Sequence, residues 1–87
     1  MKIIEGMVLT PVGNDWVAVP TGEAADALHG VVRLNKTGKV VWDGLTEGLD
    51  KEQIVARLTE RFDVDDNTAG AAVDAAMTKL SDAGLLV

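Results

Sequence analysis

The sequence predicts an α+β fold in which three short antiparallel strands are followed by three helices. Valine-rich segments separated by turn residues fill the first part of the chain, which is typical of strands. Apolar residues recur at helical spacing in the second part, and Asn35, Asp50 and Asp65 precede these runs as side chains that cap helix starts. With 87 residues, 47% of them hydrophobic, we expect a single domain over residues 1–87.

The strands are predicted at residues 7–12, 15–20 and 31–34. Gly13 and Asn14 separate the first two segments, and this dipeptide favours a two-residue hairpin turn. Residues 21–30 mix turn formers with a short helix-tolerant run, so we predict an ordered loop with at most one helical turn.

Two prolines restrict where the first two strands can lie in the sheet. Pro11 and Pro20 have no backbone donor, so they are expected at sheet edges or strand ends.

The first predicted helix begins after Asn35 and ends at Gly48. Gly38 lies inside it at a cost of about 1 kcal/mol relative to alanine, which predicts close packing of another backbone there. The second helix begins after Asp50, and Gln53 three residues later completes a capping-box pattern.

The third predicted helix begins after Asp65 and ends at Gly84, a residue suited to the left-handed conformation at a helix end. Leu85 is expected to pack back against the helix. This order of elements is that of a winged-helix-like domain. The apolar positions with helical spacing predict a buried core of Trp42, Leu45, Ile54, Leu58, Phe62, Val73, Met77, Leu80 and Leu85.

Charge argues against a nucleic-acid ligand. The chain carries 8 basic and 14 acidic residues, a net charge of −6, whereas binding to a phosphate backbone needs clustered cations. Segment 31–42 is the exception, because it holds Arg33, Lys36 and Lys39 and no acidic residue. The sequence therefore predicts one cationic patch on an anionic domain.

Composition also argues against an enzyme, a metal site or a membrane protein. The chain has no cysteine and one histidine, His29, so common nucleophile–base pairs and thiolate metal sites are excluded. Segment 63–67 resembles the start of a calcium loop, but Thr68 and Asp74 replace the required Gly and Glu. We expect no catalytic residues, cofactor or metal. No apolar run reaches about 18 residues and no signal peptide is recognisable, which predicts a cytoplasmic protein.

Three motifs resemble the PqqD family (pyrroloquinoline quinone biosynthesis protein D). Residues 34–42 read LN-x-TG-x-x-V-W, residues 62–65 read FDVD, and residues 80–86 read L-x-x-x-GLL. The resemblance covers nearly the whole chain and implies the same α+β fold. It also implies a peptide-binding adaptor, which binds the leader of a ribosomally made precursor peptide and presents it to a modifying enzyme, often a radical-SAM maturase.

The resemblance further implies where the leader binds. The leader adds a strand along the third strand of the sheet and places apolar side chains between that strand and the last helix. The family often has a large aromatic residue where this chain has Ala76, so the groove is expected to be wider or the core smaller. The predicted peptide-binding residues are Val31, Val32, Arg33, Leu34, Lys36, Ala72, Ala75, Ala76 and Lys79.

The two-residue period of a strand refines this prediction. We expect Val32 and Leu34 to face the core and Arg33 to face outward, where it would attract acidic leader residues together with Lys36 and Lys39. Proline at Val32 would break the added ladder if the amide of that residue faces the peptide.

Two other functions stay open from the residues alone. One is a winged-helix nucleic-acid-binding protein, although residues 65–83 hold only Lys79 against four acidic residues. The other is a structural subunit without a ligand. The chain is expected to be a monomer, or a weak or swapped dimer that pairs through its open strand edge.

Overall fold

The computed structural model describes residues 2–21 and 32–86. In these residues the chain forms an antiparallel sheet of three strands, followed by three helices, as predicted. Of the loop predicted at residues 21–30, only Thr21 is among the described residues, and Val31 lies outside them. The strands are β1 (Met7–Val12), β2 (Asp15–Pro20) and β3 (Val32–Leu34), and the helices are α1 (Lys36–Thr46), α2 (Lys51–Arg61) and α3 (Asp66–Asp82).

Strand β2 lies in the middle of the sheet, with β1 on one side and β3 on the other. A two-residue loop joins β1 to β2, and Gly13 in it has a φ of +61°, while Asn14 does not have a positive φ. That combination is the pattern of a type II′ hairpin turn, whose twist matches that of the strands. On the core face of the sheet, Val32 and Leu34 are buried.

The register of the sheet shows which backbone groups point to its edges. The amide of Thr21 donates to the carbonyl of Gly6 at 2.6 Å, so the next pair, Met7 and Pro20, is not hydrogen-bonded. Since hydrogen-bonded pairs alternate along an antiparallel ladder, Val17 directs its N–H and C=O toward β1. Its partner on the other side, Arg33, therefore directs both of its backbone groups away from β2, to the open edge of β3.

The three helices begin at the predicted caps. The side chains of Asn35, Asp50 and Asp65 accept hydrogen bonds from the backbone amides of residues three positions later, at 2.9, 2.8 and 2.7 Å. The backbone amide of Asp50 donates the reciprocal bond to Gln53 Oε1 at 3.0 Å, which completes the capping box. Each cap satisfies an amide that would otherwise lack a partner in the first turn.

Helices α1 and α3 end at left-handed glycines, Gly48 and Gly84, as predicted. At the end of α3 the amide of Leu85 donates to the Leu80 carbonyl at 2.9 Å, and Leu85 itself is buried. This is the Schellman arrangement, in which the residue after the glycine packs back on the helix. It directs the C-terminal residues toward the N-terminal segment, where Ile3 forms a β-bridge with Leu86.

The core lies between the sheet and the helices and matches most of the prediction. Seven of the nine predicted core residues are buried, but Phe62 and Met77 are only partly buried and pack against the core from its margin. Phe62 follows α2 as its C-cap with an extended backbone, so its side chain leaves the buried stripe of that helix. Met77 lies beside Leu86 at a shallow surface depression.

The prediction for Gly38 was wrong in its cause. A methyl group there would contact side-chain atoms of Leu34 and Asn35, each at 3.3 Å, rather than another backbone. The closely packed glycine is Gly44 instead, where a methyl group would lie 2.7 Å from Ile54 Cγ1 of the next helix.

Among residues 2–21 and 32–86, no helix is long and apolar enough to cross a membrane.

Candidate functional site

A cleft of about 420 Å³ runs between the open edge of β3 and helix α3. One wall is the end of the sheet and the start of α1, and the other is a stripe of alanines on α3. The cleft is partly open to solvent rather than enclosed, which suits an extended chain better than an enclosed small molecule. It is lined by Asp15, Arg33, Leu34, Asn35, Thr37, Gly38, Ala72, Ala75, Ala76 and Lys79.

Six of the nine predicted peptide-binding residues line this one cleft: Arg33, Leu34, Ala72, Ala75, Ala76 and Lys79. Val32, which is buried in the core, is not part of the lining. Lys36 is exposed in the first turn of α1 but is not part of the lining. Val31 lies outside the described residues.

Four lining residues were missed by the sequence reasoning. Asn35, Thr37 and Gly38 belong to the cap and first turn of α1, and they adjoin predicted residues in sequence. Asp15 gave no signal in the sequence, because its place in the cleft depends on strand order. It begins β2, next to Trp16, which pairs with Leu34.

The strand side of the cleft presents an unpaired sheet edge. Arg33 points its N–H and C=O out of the sheet, as the register requires. The carbonyl accepts a hydrogen bond from Lys79 Nζ, which reaches across the cleft from α3. This contact independently confirms the outward direction of the Arg33 backbone.

The helix side of the cleft is smooth and largely apolar. Ala72 and Ala76 are partly buried against the core, while Ala75 is exposed. Ala76, where the resembled family often has a large aromatic residue, leaves this part of the cleft open. Small side chains here let another chain approach the helix closely.

The cationic patch predicted at residues 31–42 is largely neutralised. Arg33 Nε lies 2.9 Å from Asp15 Oδ2, and Lys39 Nζ lies 2.6 Å from Asp43 Oδ2. Lys39 also lies 5.4 Å from the centre of the Trp16 ring, within the range of a cation–π contact. In the described part of the chain, Lys36 makes no such ion pair.

The two acidic residues with a lowered pKa, Glu47 and Asp65, are not part of the cleft lining. Hydrogen bonding by Thr68, mainly from its backbone amide, holds the pKa of Asp65 below its usual 3.8, which is the effect of its role as a cap. The Arg57 guanidinium beside Glu47 likewise lowers the pKa of that carboxyl. Within residues 2–21 and 32–86, no group of three or more His, Asp or Glu side chains could hold a metal ion.

Comparison with known proteins gives one family match and one structural match. The family model described as Coenzyme PQQ synthesis protein D (PqqD) matches residues 7–86. The structure of TbiB1 in complex with the TbiA(beta) leader peptide superposes with a TM-score of 0.77 and 23% sequence identity, covering 99% of this chain and 94% of that chain. At that identity the likeness shows a shared fold. Curated proteins provide no match.

Proposed function

Because the chain belongs to the PqqD family, shown by the match over residues 7–86, we propose that it is a peptide-binding adaptor rather than an enzyme. It binds the leader of a ribosomally synthesised precursor peptide by strand addition at β3. It then presents the precursor to a modifying enzyme, for which a radical-SAM maturase is the proposed partner. The observation that carries the proposal is an open strand edge beside a cleft of about 420 Å³ with an alanine wall.

The backbone of β3 supports strand addition. Both polar groups of Arg33 face outward, so an incoming strand can exchange two hydrogen bonds with this residue. In such recognition the main chain provides much of the affinity, and pockets for alternate side chains provide specificity.

The position of the cleft supports the same mode. A strand added at β3 directs every second side chain toward the core side of the sheet, where Leu34 and the alanine stripe of α3 form the cleft. Apolar leader side chains would cover Ala72 and Ala76, which are only partly buried in the free protein. TbiB1, which shares the fold, was solved with a leader peptide.

The charges of α3 disfavour the nucleic-acid alternative. The helix carries Asp66, Asp74 and Asp82, and its single cation, Lys79, is engaged with the Arg33 carbonyl. Placing this helix in a groove of DNA would bring its carboxylates toward phosphates. Mixed-sequence duplex DNA titrated at low salt should therefore show no tight binding, and a submicromolar affinity that falls steeply with salt would contradict this.

We further propose that one domain performs this role and that the free protein is a monomer, or a weak or swapped dimer through β3. The cytoplasmic location predicted from the sequence stays a prediction.

Replacing either of two alanines on α3 with tryptophan tests the site. Ala75 is an exposed residue of the cleft, and Ala71 is exposed on the same helix outside the cleft lining. The ligand is a synthetic leader peptide from a candidate precursor, to be sought in the reading frames that neighbour the gene, and affinity is measured by calorimetry. Ala75→Trp fills the cleft and should weaken binding about tenfold or more, a loss of roughly 1.4 kcal/mol.

Ala71→Trp is the matched control and should bind as the parent does, with both variants melting near the parent temperature. Equal affinity of the two variants would show that the leader does not use this cleft.

A further inference from the structure

The free edge of β3 is already occupied by a side chain of the protein itself. Within Val32–Leu34, the residues on either side of Arg33 direct their backbone groups to β2, so the Arg33 carbonyl is the acceptor at the open edge. Lys79 Nζ donates a hydrogen bond to that oxygen. A strand that pairs with β3 must donate its own amide to the same oxygen.

We propose that Lys79 is a displaceable cap on the β3 edge, and that the strand which displaces it carries a carboxylate that pairs with the released ammonium. This inference rests on the proposed function, since it takes strand addition at β3 as its starting point. It adds the residue that guards the empty edge and the side-chain chemistry that the ligand needs to open it.

The charges that line the cleft favour an acidic ligand. The lining contains Asp15, Arg33 and Lys79, and the first two neutralise each other as an ion pair at 2.9 Å. Lys79 is left as the uncompensated charge, and in the empty cleft a carbonyl oxygen is its partner.

Displacement changes the surroundings of that ammonium. A bound strand would cover the alanine wall and reduce access of water, so an ammonium without a partner would become less favourable there. A carboxylate on the bound strand restores a partner, whereas a lysine or arginine adds like charge.

The reach of Lys79 sets the position of this carboxylate. Its ammonium already contacts the backbone of Arg33, and a strand advances about 3.4 Å per residue. The acidic side chain is therefore expected within about two residues of the one that pairs with Arg33.

A structural role alone would not produce this selectivity. A lysine in the last turns of a helix is favourable because it interacts with the negative end of the helix dipole. That role predicts a small change in stability on substitution and no change in the peptides that bind.

A selection from randomised peptides tests the proposal without knowledge of the natural leader. Peptides long enough to form one strand are displayed and selected on immobilised parent protein, on Lys79→Met and on Lys51→Met. The last is a charge-matched control at the start of α2, where Lys51 pairs with Asp74. Lys79→Gln serves as a second variant if Lys79→Met melts below the parent. Chemical shifts of the Arg33 amide then show whether selected peptides bind at β3.

The parent and Lys51→Met should enrich Asp and Glu within two residues of the paired position, and Lys79→Met should lose that enrichment. A selected peptide without acidic residues should bind Lys79→Met about threefold more tightly than the parent, because no internal hydrogen bond is displaced. Two results would overturn the cap while leaving strand addition intact, provided that the peptides shift the Arg33 amide signal. One is an acidic preference that survives in Lys79→Met. The other is a neutral peptide that binds Lys79→Met no more tightly than the parent. If no selected peptide perturbs Arg33 or the cleft, strand addition itself fails.

Discussion

The sheet has two outer edges, at β1 and at β3, and they differ in what each offers a further strand. Along β1 the register directs the backbone groups of Met7, Leu9 and Pro11 outward, and Pro11 has no donor to give. Along β3 the outward residue is Arg33, with both groups present and a cleft beside it. An unpaired edge invites association, and natural proteins often blunt such edges with proline.

The two edges also differ in the surfaces that lie beside them. Val8 and Val12 of β1 are exposed at 49% and 46%, but Pro11, the penultimate residue of the strand, has no amide to donate to a further ladder. Strand β3 is only three residues long, but α3 stands beside it and supplies both an apolar wall and Lys79. In the proposed strand addition, the helix beside β3 would provide specificity that the longer β1 edge lacks.

The largest expected effect is the loss of folding stability in a core variant, which would disrupt both edges of the sheet. Trp42 on α1 is 6% exposed and belongs to the core that supports the sheet. Trp42→Ala should cost about 3–5 kcal/mol, much of the stability of so small a domain. Thermal melting followed by circular dichroism measures this loss, and Val8→Ala on the exposed face is the control. A melting temperature within a few degrees of the parent would contradict the core assignment.

The next largest effect tests the β3 edge alone, by removing its outward-facing amide donor. Arg33→Pro deletes the amide that faces the open edge, while Arg33→Ala keeps it and removes only the guanidinium. With the cognate leader, we expect Arg33→Pro to bind about tenfold more weakly than Arg33→Ala by calorimetry. Equal affinities would mean that the leader does not pair with β3.

Val32→Pro would break the added ladder only if the Val32 amide faced the peptide, and it does not. The Val32 amide points toward Ala18 of β2, so its loss should lower the melting temperature by weakening the sheet. If Val32→Pro kept its stability but lost binding, the assignment of the Val32 amide toward β2 would be wrong.

A smaller effect follows from opening the β1 edge. Pro11→Thr restores an outward donor next to the exposed Val12, so the variant should self-associate more than the parent in sedimentation velocity. Adding Val12→Lys to that variant should return it to the parental state. If Pro11→Thr sediments as the parent does, the proline is not what blunts this edge.

The smallest effect concerns the helix that distinguishes the β3 edge. The pKa of Asp65 is lowered in the folded protein, so its carboxylate stabilises α3 fully above the unfolded value of 3.8. This stabilisation is lost as the pH falls through the lower, folded value. Asn also caps helices but does not titrate. Between pH 6 and pH 3, the melting temperature of Asp65→Asn should therefore fall by less than that of the parent. Parallel losses would show that this cap contributes nothing to the acid sensitivity.

Features made by neighbouring residues were predictable from the sequence. The three helix caps, the glycine ends of α1 and α3 and the hairpin at Gly13 each depend on groups only a few positions apart. Burial at the margin was less predictable. Phe62 and Met77 fit a helical apolar pattern, but the pattern cannot show where a helix leaves the core.

The candidate cleft divides in the same way. Arg33, Leu34, Ala72, Ala75 and Ala76 were predicted as site residues, through the family resemblance and the strand period, and they line one cleft. Asp15 was missed, and two of the three cations of segment 31–42 proved to be paired with acids. These contacts join positions distant along the chain or depend on how side chains settle around a packed helix.

The sequence by itself determined the order of the elements, where each helix starts and which face of β3 is buried, because capping and side-chain periodicity act over a few residues. Only the tertiary structure decided that the backbone of Arg33 faces outward, since this depends on which residues of β2 pair with Gly6 through Val12. It also decided that Lys79 reaches the Arg33 carbonyl from 46 positions away. Such contacts arise when the core brings α3 beside the sheet, and no local pattern along the chain encodes them.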